Sequence, residues 1–229
     1  MLPERPDPAA GVYETVRVHD GRIHALDAHL DRLARSVREL YDAPLGDEPR
    51  RLLARDASAL AGTHRLRIDA IPAPDGLRFE TSTSPSAPAG LIPVALRPAT
   101  VAGGLGAHKW RDRRLLDSLG DDPLPLLVDE RGWVLEAARA NVWTLRDGLL
   151  STPPADGRIL PGVTRAVLLK RAGELGLTAV QRPLALDELR GADAVILTSS
   201  VRLAVAAALG APPPEPSLLP RIRALLAGS

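Results

Sequence analysis

"GWVLEAARANVWTL", residues 132–145, sets one carboxylate into an otherwise apolar, strand-forming run. An unpaired charge inside a core is expensive, so Glu136 demands a partner. Two are open to it: Arg139, three residues on, or the protonated nitrogen of a heterocycle bound beside the strand.

Upstream, "GAHKWRDRRLLDSLG" (106–120) contains Lys109. The 29 Lys+Arg residues include only Lys109 and Lys170 as lysine, leaving 27 arginines. Arginine cannot replace lysine where chemistry needs an amine that loses its proton and attacks a carbonyl. Lys109 is therefore a candidate nucleophile, whereas Lys170 has no motif around it and fits a solvated helix face. Downstream, "ILPGVTRAVLL" (159–169) places Pro-Gly before a helix whose first turn is Val163, Thr164 and Arg165. Free N–H groups and the positive dipole end at such a start can seat a phosphate. "LTSSVR" (197–202) adds hydroxyls and turn amides at a strand end, suited to a phosphate oxygen or a carboxylate. Taken singly, these read as an ion pair, an ordinary helix start and a simple turn. Together, an amine for a Schiff base, a carboxylate for a pyridinium and a phosphate cradle describe a site for pyridoxal phosphate.

Other chemistries find little support. With no Cys and no HxH or HExxH among five histidines, no metal site is expected. "GGLGAH" lacks the GxGxxG spacing, and neither a GxxxxGK[ST] loop nor a GxSxG elbow occurs. A net charge of +1, with arginines interleaved among acids, argues against nucleic-acid binding. No stretch reads as a signal peptide, and no apolar run approaches the ~20 residues of a membrane span. The expectation is a cytoplasmic protein without a membrane partner.

Along the chain, "GVYETVRVHDGRIHALDAHLDRLARSVRELY" reads as strand, Asp-Gly turn, strand and helix, with Asp27 as N-cap. A second helix is expected over 47–61, a strand pair around "PAPDG", and a strand in "LIPVALRPAT". This half reads as α+β with an antiparallel sheet. Beyond the Gly-rich break at 101–108 come a short helix near 112–119 and strands at "PLLVD", "VLEAARANVWTLRDG" and "LLSTP". A helix from Val163 to Leu175 stopped by Gly176, a buried strand in "DAVILTSSVRLAVAA" and a last helix at 217–227 complete the chain. The expected division is a small domain over 1–102, a joint over 103–108 and a larger domain over 109–229.

The ordered blocks "EAARANVW" (136–143), "LST" (150–152) and "LPGVTR" (160–165) resemble the signature of the class IV, or fold-type IV, pyridoxal-phosphate aminotransferases. Trp143, where Phe or Tyr is usual, is the one departure, and it exchanges one large aromatic for another. "GVYETVRV", "LDAHLDRL", "HKWRDR" and "TSSVR" extend the likeness over nearly the whole chain. About ten residues precede "GVYETV", fewer than the family's usual N-terminal hairpin.

The resemblance implies an α+β, two-domain fold-type IV enzyme, with a small α/β sandwich domain, a larger pseudo-barrel α/β domain and assembly as a homodimer. It makes Lys109 the Schiff-base lysine and proton shuttle, and Glu136 the partner of the pyridine nitrogen. Arg32 of "HLDRL", the backbone of Val163 and Thr164, the Thr164 hydroxyl and Ser200 would bind the phosphate. The "HKWRDR" segment is most similar to 4-amino-4-deoxychorismate lyase, which releases pyruvate and 4-aminobenzoate. That substrate carries two carboxylates, for which Arg111 and Arg202 are the candidate cations. An aminodeoxychorismate synthase is the candidate functional partner. The rival readings are an aminotransferase for branched-chain or D-amino acids, and a non-catalytic binding protein that keeps the fold.

Overall fold

The computed structural model describes residues 5–86, 90 and 92–228. Contacts divide the chain into two compact units, Met1–Ala87 with His108–Leu115, and Pro88–Ala107 with Leu116–Ser229. Relative to the expected division at 102–108, the strand at 94–100 goes to the second unit and residues 109–115 go to the first. Strand pairing explains both placements.

In the first unit, β1 (Val12–His19) and β2 (Arg22–Ile23) precede α1 (Leu26–Tyr41) and α2 (Glu48–Ser58), and β3 (Thr63–Ala73) and β4 (Gly76–Pro85) follow. They form an antiparallel sheet in the order β2-β1-β3-β4. Asp20 (φ 46°) and Gly21 (φ 77°) make the left-handed pair that the Asp-Gly turn requires. Val12, Val16 and Val18 of β1 pack with Leu30, Leu33 and Val37 of α1, closing a core with Leu53, Leu66 and Ile68. Burying each such side chain is worth roughly 1.5–3 kcal/mol. Asp27 is not the N-cap. Helix α1 begins at Leu26, two residues earlier than that cap would give, after a left-handed Ala25 without a side-chain cap. Asp27 instead lies in the first turn, where its charge suits the helix dipole.

The chain continues through β5 (Val94–Thr100), α3 (Arg114–Ser118), β6 (Leu124–Val128), β7 (Val134–Ala137), β8 (Asn141–Arg146) and β9 (Leu149–Thr152). Then come α4 (Val163–Arg171), β10 (Thr178–Gln181), α5 (Leu186–Arg190), β11 (Ala194–Ser199), β12 (Leu203–Ala208) and α6 (Leu218–Ala227). Eight strands form one mixed sheet in the order β10-β9-β8-β11-β12-β5-β6-β7. The run expected as one strand over 134–148 is broken. Ala137 and Ala140 exchange backbone hydrogen bonds of 2.9 and 3.1 Å, so a tight turn separates β7 from β8. Along β11, Val195 and Leu197 enter one core and Ile196 the other, so both faces are covered. That double burial accounts for the unbroken apolar run "AVIL". Helix α4 passes into a 3-10 turn, Ala172–Leu175, and stops at left-handed Gly176 (φ 75°) as expected.

Candidate functional site

The signature residues of the second unit are joined by hydrogen bonds. Glu136, on β7, is buried at 7 % exposure. Its carboxylate oxygens accept the Leu160 N–H at 3.2 and 3.3 Å. Asn141, at the start of β8, donates from Nδ2 to the Leu160 carbonyl at 3.0 Å. One residue, Leu160, is thus held at both its N–H and its C=O by two strands that the turn at 138–140 keeps side by side. Two residues on, a Cβ at Gly162 would lie 1.8 Å from Asn141 Oδ1. Only glycine lets the chain pass that close. Arg139, considered above as the partner of Glu136, pairs with Asp121.

Thr152 and Arg165 complete this scaffold. The Thr152 hydroxyl donates to the Val142 carbonyl at 2.8 Å. Arg165, 4 % exposed, donates to Thr152 Oγ1 at 3.3 Å, the Pro153 carbonyl at 2.6 Å and Gln181 Oε1 at 2.8 Å. Burial lowers the Arg165 pKa, and the charge of Glu136 works against that shift. Trp143 is fully buried and spends its indole N–H on Thr198 Oγ1 at 2.9 Å, so the departure from Phe or Tyr brings its own polar partner.

Helix α4 starts at Val163 after Gly162, with no side-chain cap over its first N–H groups. The Thr164 and Ser200 hydroxyls lie 3.5 Å apart, so the helix start and the turn after β11 present two hydroxyls side by side. Buried Glu136, the α4 N-terminus, Thr164 and Ser200 therefore belong to one unit. Arg202, in the same turn as Ser200, is exposed.

Lys109, Arg32 and Arg111 belong to the first unit. Residues 109–111 run beside the start of β1: the Tyr13 N–H donates to the Lys109 carbonyl at 2.8 Å, and the Arg111 N–H to the Gly11 carbonyl at 3.0 Å. Trp110 between them bridges Val12 and packs on the unit's core. The Lys109 ammonium lies over the Tyr13 ring, 4.8 Å from its centre, and the Arg67 guanidinium lies 3.8 Å from the same centre. Arg113 donates to the Tyr13 hydroxyl at 3.3 Å. Burial pushes the Tyr13 phenol up, but Lys109, Arg113 and Arg67 outweigh it and hold its pKa below the usual value. Arg111 sits 3.3 Å from the Asp69 carboxylate, which also accepts from Arg67. Next to Lys109, His108 reaches Ser36 of α1 at 3.0 Å.

Arg32 is 7 % exposed and grips Glu14 of β1 through Nε at 2.6 Å and Nη2 at 2.8 Å. Neither Tyr13 nor Glu14 was singled out from the sequence. The signal was present: Glu14 occupies the same strand face as Val12, Val16 and Val18, where a lone carboxylate calls for a partner.

A family model described as amino-transferase class IV matches residues 11–114 and 107–208. The chain belongs to the class IV aminotransferase family. A Methanocaldococcus jannaschii member, provisionally named a branched-chain-amino-acid aminotransferase, is 28 % identical over 83 % of this chain and 75 % of its own. The solved structure of a fold IV-transaminase from Curtobacterium pusillum superposes with a TM-score of 0.80 at 27 % identity, covering 95 % of this chain and 86 % of that one. A 4-amino-4-deoxychorismate lyase from Pseudomonas aeruginosa gives a TM-score of 0.72 at 24 % identity, with coverage of 90 % and 86 %. The fold of this class IV chain is that of fold-type IV enzymes, as expected. Among the described residues no cluster of His, Asp or Glu suits a metal ion, and no helix is long and apolar enough to cross a membrane.

Proposed function

We propose that this class IV chain is a lyase that eliminates pyruvate from 4-amino-4-deoxychorismate, leaving 4-aminobenzoate. Its cofactor is pyridoxal phosphate, and the residues present fit that group. The uncapped start of α4 with two adjacent hydroxyls suits a phosphate, and the buried Glu136 carboxylate suits a protonated ring nitrogen. When bound, the cofactor supplies a carbonyl for the substrate amine and a ring that spreads the electron pair left by deprotonation.

In this reading the N–H groups of Val163 and Thr164, the hydroxyls of Thr164 and Ser200, and Arg32 hold the phosphate. Glu136 keeps a proton on the ring nitrogen. The Lys109 amine would take the proton from the amine-bearing carbon of the substrate. Departure of the enolpyruvyl group as pyruvate then makes the substrate ring aromatic, so the reaction runs downhill without a keto acid. The assembly is a homodimer, and an aminodeoxychorismate synthase supplies the substrate.

The observation that carries the choice of substrate is the charge around Lys109. Lys109, Arg67 and Arg113 gather about Tyr13, and Arg111 lies beside Asp69. Cations gathered beside the lysine suit a substrate with two carboxylates. Arg111 remains the proposed carboxylate ligand from this group, and Arg202 the one from the second unit. The relative named as a branched-chain aminotransferase favours the second reading, a transaminase. Keto-acid dependence separates the two: turnover of 4-amino-4-deoxychorismate without added keto acid supports the lyase, and an absolute requirement for one supports the transaminase. Failure to take up the cofactor at all would leave only a binding protein with this fold.

A further inference from the structure

We propose that Glu14 is a positioning residue for the cofactor phosphate, acting through Arg32, with His29 as the second member of the same buried brace. The inference rests on the reading of Arg32 as a phosphate ligand.

Glu14 and His29 are each 1 % exposed. The Arg32 fork meets both oxygens of Glu14, and His29 Nδ1 lies 2.8 Å from Glu14 Oε2. Around this pair, Val12, Val16 and Val18 of β1 pack against Leu30, Leu33 and Val37 of α1, and Ser36 is the other buried polar side chain of the helix. A buried ion pair kept only for stability has a cheap alternative, because apolar residues of similar volume do as well or better there. A two-point grip on a guanidinium does something an apolar pair cannot. It fixes the plane of the fork and removes in advance the side-chain entropy that a loose arginine would lose on capturing a ligand. Burial pushes the Glu14 carboxyl up, but Arg32 and His29 outweigh it and hold it well below the usual carboxylate range, so Glu14 stays a carboxylate. One turn beyond Arg32 on the same helix, Ser36 bonds His108, the neighbour of Lys109. The buried polar edge of α1 thus ties Arg32 to β1 and the same helix to the lysine segment.

The test compares the affinities of pyridoxal phosphate and of pyridoxal, which lacks the phosphate, for wild-type protein and for the Glu14→Gln, Glu14→Asp, His29→Asn and Arg32→Ala variants. Thermal unfolding of each cofactor-free protein runs in parallel. Glu14→Gln should weaken pyridoxal phosphate about tenfold, equivalent to ~1.4 kcal/mol, while pyridoxal changes by less than about twofold. Glu14→Asp and His29→Asn should fall between that variant and wild type, and they carry the test if Glu14→Gln does not fold. Equal loss of both ligands, or of neither, overturns the brace when Arg32→Ala has lost its preference for the phosphorylated form. Retention of that preference by Arg32→Ala overturns the reading of Arg32 itself, and the brace with it.

Discussion

The Lys109 ammonium stands 4.8 Å from the centre of the Tyr13 ring, and the Arg67 guanidinium stands 3.8 Å from that same centre. The lysine amine therefore shares one phenol ring with a second cation. The chain has only two tyrosines, so this neighbourhood can be read by titration. Burial and Asp7 push Tyr41 up, whereas the cations around Tyr13 outweigh its burial and bring it down. Ultraviolet absorbance should show two separate phenol ionisations. Tyr13→Phe should remove the lower one, and Lys109→Ala should move it upward. A lower step indifferent to Lys109 would contradict the placement.

Lys109→Ala should abolish turnover and still bind some cofactor without a covalent link. Absorbance of the Schiff base and steady-state rates check both halves. Full activity in this variant would end the assignment of Lys109.

Replacing Glu136 by Gln keeps the hydrogen bond to the Leu160 N–H within reach but removes the charge. Cofactor should remain covalently attached while turnover falls by about a hundredfold or more, the scale seen when a preorganised electrostatic partner is lost. Unchanged turnover would mean that another group faces the ring nitrogen.

The contact between Gly162 and Asn141 predicts a non-additive pair. Gly162→Ala should destabilise the protein by roughly 1–3 kcal/mol or more, because its Cβ falls on Asn141 Oδ1. In an Asn141→Ala background the added cost should shrink, and denaturant unfolding of the four proteins gives the coupling directly.

Glu14 predicts an acid transition. Its folded pKa is depressed, so its contribution is present above the unfolded glutamate value of about 4.3 and is lost as pH falls through the folded value. Wild type should exceed Glu14→Gln in stability at neutral pH, and the gap should narrow below about pH 4. A gap that stays constant to low pH would show that the carboxylate charge is not what stabilises.

Much of this was legible because the signature is local. Glu136, Asn141, Thr152, Gly162 and Arg165 lie within about thirty residues, and among them Glu136 announced itself as a buried charge in need of a partner. What the one-dimensional pattern concealed was the turn at 138–140. Small alanines favour no particular break, so a single strand was the natural expectation, and Arg139 looked like the partner of Glu136. The turn sends Arg139 outward to Asp121 and leaves Glu136 to the Leu160 N–H. Tyr13 and Glu14 lie some 95 residues before Lys109, and nothing at that distance reveals that residues 109–111 run beside β1. The strand at 94–100 was recognised as a strand, but its sheet depends on pairing with β6 and β12, which propensity does not encode.

The most direct test is to give cofactor-loaded protein 4-amino-4-deoxychorismate, with no keto acid present, and to quantify 4-aminobenzoate and pyruvate together. The account predicts that both appear in equal amounts and that both vanish in Lys109→Ala. If neither appears while branched-chain or D-amino acids pass their amine to the cofactor, the chain is a transaminase and the lyase reading is wrong.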